Sequence, residues 1–342
     1  MASGKTTGRW PRWLGRLRNR ILDPSIVFSF DQSGFHRHAA LFEAGDIDVD
    51  MTGRVCVVTG ANSGIGFATA MALAVRGAEV WMLCRNAARG EAARQMVMDE
   101  TGSQNIHLLL VDVSDIEQVG DAQRFHAIPR IDVLIHNAGV LLDQRSSSPQ
   151  GLELTLATHL VGPLALTATL IQKMGSGSRM IWVSSGGMYA QKLNIVNLES
   201  PSEPFDGVRA YAQVKRAMVI TAEHLAATLE ARGISVHCMH PGWASTPGVK
   251  TSIPRFYRVT RAILRTSAQG ADTIVWLAVS TAVVGQTGGF WFDRRRVTTH
   301  MLPTTRTNAT ARTQLWTAVH QWAEIPEHIW SLDRERRMDE GA

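Results

Sequence analysis

The sequence predicts an α/β protein built on a doubly wound, seven-stranded parallel sheet with helices on both faces. Two observations carry this. From Arg54 onward, short apolar runs of strand character alternate with longer segments of helical period. The first of those runs, Val55-Cys56-Val57-Val58, leads straight into a glycine-rich turn, Thr59-Gly60-Ala61-Asn62-Ser63-Gly64-Ile65-Gly66, that opens a helix-like stretch.

Taken in order, the runs place strands over 54–59, 79–84, 106–111, 131–136, 179–185, 234–239 and 288–292. Helical periodicity places helices over 64–76, 88–101, 115–126, 151–174, 210–231 and 267–279. Seven strands in one series need no second domain. The chain divides into a basic N-terminal extension (1–50), one nucleotide-binding domain (51–300) and a C-terminal helix with a charged tail (301–342). Right-handed crossovers would bring the carboxyl ends of the strands to one edge, where such sheets bind ligands. Two loops break the rhythm at that edge, 191–208 with Pro201 and Pro204, and 247–265. Each is either a pocket wall or a surface insertion.

The chain has 342 residues, 45% of them hydrophobic, and a formal charge of +5. The charge is uneven, since Lys5, Arg9, Arg12, Arg16, Arg18 and Arg20 all precede the first acid, Asp23. No compact Lys/Arg surface motif appears in the middle of the chain, which argues against nucleic acid as a partner. Cys56, Cys84 and Cys238 sit in or beside apolar runs with no metal-ligand spacing, as expected of buried thiols in a reduced intracellular protein with no bound metal. No apolar stretch is expected to reach the ~20 residues that span a bilayer, so the protein reads as cytoplasmic or peripherally membrane-associated. Within residues 8–22, Trp10, Trp13, Leu14, Leu17 and Ile21 recur at helical spacing opposite Arg12, Arg16 and Arg20. That pattern suits peripheral contact with an anionic membrane, an oligomer-packing helix, or a targeting segment. A homo-oligomer is compatible with the sequence.

The glycine turn points to a dinucleotide. Gly60, Gly64 and Gly66 permit a tight turn and close backbone approach, while Asn62, Ser63 and Ile65 lead into a helix whose amino terminus offers unpaired N–H groups to a pyrophosphate. At the end of the second strand, where an acid would bind both ribose hydroxyls of NAD, the chain has Arg85, which suits a 2′-phosphate and favours NADP(H) over NAD(H). Arg85 is equally readable as a solvated strand-end charge. Asp112, ending the third strand, is placed to accept from the adenine amine or to form a capping turn with Ser114 and Asp115. After the fourth strand, Asn137-Ala138-Gly139 lets the backbone pass close to the adenine ribose; His136 before it reads as structural.

Downstream, Tyr211 and Lys215 lie four residues apart on one helix face. A phenol of pKa near ~10 is a poor acid–base group at neutral pH, and a nearby cation should lower that value. Lys215 supplies the cation and a partner for the nicotinamide ribose. Ser185, ending the fifth strand, is placed to hold a substrate oxygen near Tyr211.

In this combination the chain resembles the short-chain dehydrogenase/reductase family over about residues 51–292. The ordered motifs are the Thr59–Gly66 run, Asp112, Asn137-Ala138-Gly139, Ser185, the Tyr211 and Lys215 pair, and Pro241-Gly242. Val183-Ser184-Ser185-Gly186-Gly187-Met188, Pro204-Phe205-Asp206-Gly207, His240-Pro241-Gly242-Trp243-Ala244 and Ala268-Gln269-Gly270-Ala271-Asp272-Thr273 resemble one branch of it, dehydrogenase/reductase member 12. The resemblance implies a Rossmann domain, Tyr211 as general acid/base assisted by Lys215, and Ser185 positioning the carbonyl. It further implies cofactor contacts at Val113, Pro241, Gly242, Trp243 and Thr246, the last near the nicotinamide carboxamide. One position departs from the family: His159 stands where an Asn usually holds a relay water. It is counted here with the catalytic residues, with a packed helix side chain as the other reading. The apolar residues Ile253, Phe256, Tyr257, Ile263 and Leu264 suggest a lipophilic carbonyl or alcohol substrate, though they suit helix core equally. The expected function is NADP(H)-dependent carbonyl reduction or alcohol oxidation. A catalytically weak NADPH-binding scaffold or redox sensor is the alternative that His159 motivates.

Overall fold

Successive side chains of a strand point to opposite faces of its sheet, and the strands of this chain sort their residues accordingly. In the computed structural model, which describes residues 25–200, 204–252 and 254–330 together with Asn19, Leu22 and Asp23, β1 (Val55–Thr59) is buried throughout. Val55 and Val57 join one apolar core, Cys56 and Val58 the other. β2 (Glu79–Cys84) does the same, with Trp81 and Leu83 on one side and Val80, Met82 and Cys84 on the other. A strand covered on both faces reads as a continuous apolar run, which is why these were legible.

β3 (Ile106–Leu110), β4 (Ile131–His136), β5 (Met174–Val183), β6 (Ser235–Met239) and β7 (Gly289–Phe292) complete the parallel series. The order across the sheet is β3-β2-β1-β4-β5-β6-β7, followed by an eighth strand, β8 (Arg295–Arg296). The order reverses between β1 and β4, the switch point at which α/β sheets open a ligand crevice. The expected seven strands are thus joined by a short eighth that runs antiparallel to β7. Asp293 and Arg294 make the two-residue turn with φ of 46° and 58°, values that hairpin turns need and that Asp-Arg does not advertise. β5 starts five residues before the predicted 179, across a register shift against β4. Gly175-Ser176-Gly177-Ser178 reads locally as a loop.

Helices Gly64–Val75, Ala87–Thr101 and Ser267–Val279 lie close to their predicted bounds. The predicted helix 115–126 is instead a turn of α-helix, Ile116–Gly120, and a 3₁₀ turn, Ala122–Phe125. Asp121 breaks it, because its side chain caps Gln123 N–H at 3.0 Å. The helix Leu154–Lys173 corrects another expectation, being long and apolar enough by length and composition to cross a membrane. Its apolar window is 83% buried within the protein, as in a core helix.

The loop 247–265 contains two short helices, Pro247–Ser252 and Pro254–Thr260. Leu264 is core, whereas Ile263 faces solvent and Tyr257 is half-buried; the side chains of Ile253 and Phe256 lie outside the description. In the C-terminal segment, Ala309–Trp322 is the expected helix. Of the amphipathic stretch 8–22, only Asn19 and Leu22 are among the described residues, and the charged tail from 331 lies outside them. Cys56, Cys84 and Cys238 are buried free thiols.

Candidate active site

The glycine turn is held by the neighbouring strands. Gly60 (φ 65°) and Gly64 (φ 58°) take left-handed conformations that only glycine adopts at little cost. A Cβ on Gly60 would press on Ala138 at 2.8 Å, and one on Gly66 would collide with the Asn137 amide and the Gly60 carbonyl. Asn137 itself donates to the Thr59 carbonyl at 2.9 Å, and Thr59 Oγ1 accepts from the N–H groups of Asn137 and Ala138 at 2.9 and 3.0 Å. The Asn137 side chain therefore ties the β4 end to the turn. Cys84, ending β2, presents its thiol to the N–H groups of Ala61 and Asn62. Ser63 is the N-cap of Gly64–Val75 yet makes no side-chain capping bond, which leaves the first turn of that helix open to an anion. Ile65 packs near Gly270, where a Cβ would lie 3.1 Å from it.

Beside the turn, Arg85, Arg89, Asp112 and Arg124 line a cleft of about 610 Å³. Asn86 caps the helix that carries Arg89, accepting the Arg89 N–H at 2.9 Å. Asp112 spends Oδ1 on the N–H and hydroxyl of Ser114, at 2.9 and 2.7 Å, which is the capping-turn geometry. The Val113 carbonyl lies where any Cβ on Gly162 would fall, so the helix backbone passes directly against this turn.

At the other end, the helix Gly207–Leu229, capped by Asp206 on Arg209 N–H at 3.0 Å, carries Tyr211 and Lys215. The Tyr211 hydroxyl sits beside Ser185, whose side chain favours the phenolate. Lys215 Nζ donates to the Val183 carbonyl at 2.6 Å and lies 5.4 Å from the Tyr211 ring centre. Ser184 Oγ donates back to the Lys215 carbonyl at 3.1 Å, so the end of β5 and the helix are bonded in both directions. The expectation that Lys215 pulls the phenol down is corrected. Burial pushes Tyr211 up to about 12, against the opposing influence of Ser185, and burial pushes the Lys215 ammonium down to about 7. In this dry environment desolvation of each charged form outweighs the attraction between them. At neutral pH Tyr211 is a phenol, a proton donor.

His159 stands in a π-helical segment, Ala157–Val161. Its ring meets Tyr211 edge to face, with centres 5.2 Å apart and planes at 88°. Nε2 lies 2.9 Å from the Val140 nitrogen and 2.7 Å from the Val140 oxygen, and Nδ1 is buried with no partner among the described residues. Burial first, then the charge of Lys215, holds the imidazole well below its usual pKa, so it is neutral. Gly139 is shaped by this ring, since a Cβ there would collide with His159 Cε1. Gly139→Ala should therefore cost about 1–3 kcal/mol by overpacking and lower kcat/KM, and pairing it with His159→Ala should restore the melting temperature. Equal thermal melts for Gly139→Ala and the unmodified protein would refute the contact.

Beyond β6, Pro241-Gly242-Trp243 turns over the site, with Gly242 at φ 72°. Thr246 precedes Pro247–Ser252 and its carbonyl accepts from Lys250 N–H at 3.1 Å. Across the sheet the edge thus carries an arginine cleft after β2 and β3, the glycine turn after β1, and a serine–tyrosine–lysine trio at β5, in that order. A family model described as short chain dehydrogenase matches residues 54–255.

The chain belongs to the short chain dehydrogenase family.

Among its relatives, the human dehydrogenase/reductase SDR family member 12 is 43% identical over 276 residues, covering 80% of this chain and 86% of the relative. Human retinol dehydrogenase 12 is 31% identical over 284 residues, covering 80% and 89%. Of solved structures, a short chain dehydrogenase from Escherichia coli CFT073 complexed with NADPH superposes with a TM-score of 0.59 at 26% identity, covering 72% of this chain and 99% of that one. One from Shigella flexneri 2a complexed with NADP gives 0.59 at 25% identity, covering 72% and 99%. Two cleft residues, Arg89 and Arg124, are not singled out by the sequence reading, and Cys84 is read there only as a buried thiol. Arg89 could have been found, because it lies four residues after Arg85. Arg124 arrives from another element, and no local signal marks it.

Proposed function

We propose that this short chain dehydrogenase is an NADP(H)-dependent oxidoreductase acting on a lipophilic carbonyl or alcohol, with Tyr211 as the general acid/base. The observation that carries the reading is the Tyr211 hydroxyl beside Ser185, with a buried Lys215 on the same helix face. The dinucleotide fits the residues present: Gly60 and Gly66 leave a cradle that any Cβ would fill, and an uncapped helix terminus faces it. When bound, the nicotinamide supplies or accepts the hydride. The chain's residues do the rest. Ser185 orients the substrate oxygen, Tyr211 donates its proton to the alkoxide as charge develops there, and Lys215 holds a compact positive charge beside both. The retinol dehydrogenase relative favours a lipophilic alcohol or aldehyde.

NADPH consumption across a panel of lipophilic carbonyls tests the proposal. His159 in the usual Asn position supports the second reading, a catalytically weak NADPH-binding scaffold. Tight NADPH binding without turnover on any substrate would establish it.

Three arginines in one cleft support NADP(H) over NAD(H). Arg85→Asp is expected to lower the preference for NADPH over NADH by one to two orders of magnitude, about 1.5–3 kcal/mol for a charge-assisted contact. Measured Kd values for both cofactors check this, and an unmodified protein that already prefers NADH would remove the assignment.

A further inference from the structure

The N-terminal segment reaches into the site from outside the stretch shared with the family, which begins at residue 54. Residues 25–39 form two short helices, Ile26–Phe30 and Gln32–Ala39, and Phe30 is only 3% exposed. Its ring packs over Gly186, where any Cβ would collide with it, and Gly186 directly follows Ser185. Its carbonyl accepts the Trp243 N–H at 2.8 Å and would be 2.7 Å from a Cβ on Gly242. One residue therefore touches the serine turn after β5 and the Pro241-Gly242-Trp243 turn after β6.

The segment is latched in place by a buried guanidinium. Arg265, 1% exposed, donates to the carbonyls of Ser29 at 2.8 Å and Asp31 at 3.1 Å. It also forms a two-pronged pair with Asp293 at 2.6 and 2.9 Å. Asp293 meets His38 Nδ1 at 2.5 Å, and His38 Nε2 meets Asp23 at 2.8 Å. Gln32 N–H donates to the Ile263 carbonyl at 2.8 Å. A buried charge left without its partner is costly, so the strap and the loops after β6 and β7 hold or fail together.

We propose that residues 25–39 are a strap that positions the active site, and that Phe30 is the positioning residue setting the Ser185 turn against the Trp243 turn. Only the turnover arm of the test rests on the carbonyl chemistry proposed above.

The test compares NADPH with an adenosine bisphosphate that lacks the nicotinamide end. Phe30→Ala should weaken NADPH about tenfold while leaving the bisphosphate unchanged, and should lower kcat. Phe30→Leu should restore part of both. Ile128→Ala, a fully buried site near the start of β4, should lower the melting temperature without changing either affinity or kcat. Should Phe30→Ala fail to fold, the contact is read from Gly186→Ala, whose loss of NADPH affinity the added Phe30→Leu should partly reverse. Equal weakening of both ligands, unchanged NADPH affinity in a folded Phe30→Ala protein, or additive losses in the Gly186→Ala/Phe30→Leu pair would overturn the strap's role. Should the unmodified protein turn over no carbonyl, the functional reading falls, and the two-ligand comparison still decides the strap.

Discussion

Tyr211→Phe is expected to lower kcat by about a hundred- to ten-thousandfold, the range for removing a general acid, while leaving the Kd for NADPH within a few-fold. The split follows from geometry. The hydroxyl sits beside Ser185, the proposed substrate end, whereas the glycine turn proposed for the phosphates, Gly60 to Gly66, lies at the end of β1 and is held by Thr59 and Asn137. Losing a contact made only as the alkoxide forms lowers kcat without loosening the ground state. Little destabilisation should accompany it, because burial already disfavours the charged phenolate and Phe keeps the ring against His159. Steady-state kinetics on any active carbonyl, with fluorescence titration of NADPH, check both halves. An unchanged kcat would remove Tyr211 from the mechanism.

Lys215→Met should lose activity and gain stability. The ammonium is buried with no carboxylate beside it among the described residues, and its pKa falls from the usual 10.5 to about 7. Between those values the unfolded chain binds a proton that the folded chain does not, so stability rises with pH across the window, and the penalty is full below about pH 7. Each unit is worth about 1.4 kcal/mol, a penalty of a few kcal/mol that Met at this position removes. Chemical denaturation of the cofactor-free protein should therefore show the variant more stable at neutral pH, with a flatter dependence from pH 7 to 10.5. Turnover should fall, NADPH affinity should weaken and the pH optimum should move, if the ammonium serves the nicotinamide ribose and the proton donor as proposed. A variant with the same stability slope and the same pH profile as the parent would show that the charge has neither role.

Much of this was visible in the chain before folding. Strands buried on both faces are continuous apolar runs, so β1, β2 and β4 could be placed to within a residue, and the capped helix Ser267–Val279 was predicted to the residue. Local breaks were harder to see. Asp121 interrupts a helical pattern through one side-chain bond, and Asp293-Arg294 turns a hairpin with residues that seldom take positive φ.

What the sequence determined by itself is the order of chemistry along the chain: a glycine turn, an arginine after β2, a serine-tipped strand, then Tyr211 and Lys215 on one helix face. Those are short-range facts, set by periods of two and 3.6 residues and by what glycine permits. Tertiary structure decided the rest. It brought Arg124 to Arg85 and set the imidazole of His159 over Gly139. Burial, not the lysine charge, came to govern the Tyr211 proton. The same packing made Phe30, over 150 residues before Gly186 in the chain, a neighbour of the serine turn. Desolvation and close packing depend on what surrounds a group on every side, and a linear sequence lists only the neighbours before and after it.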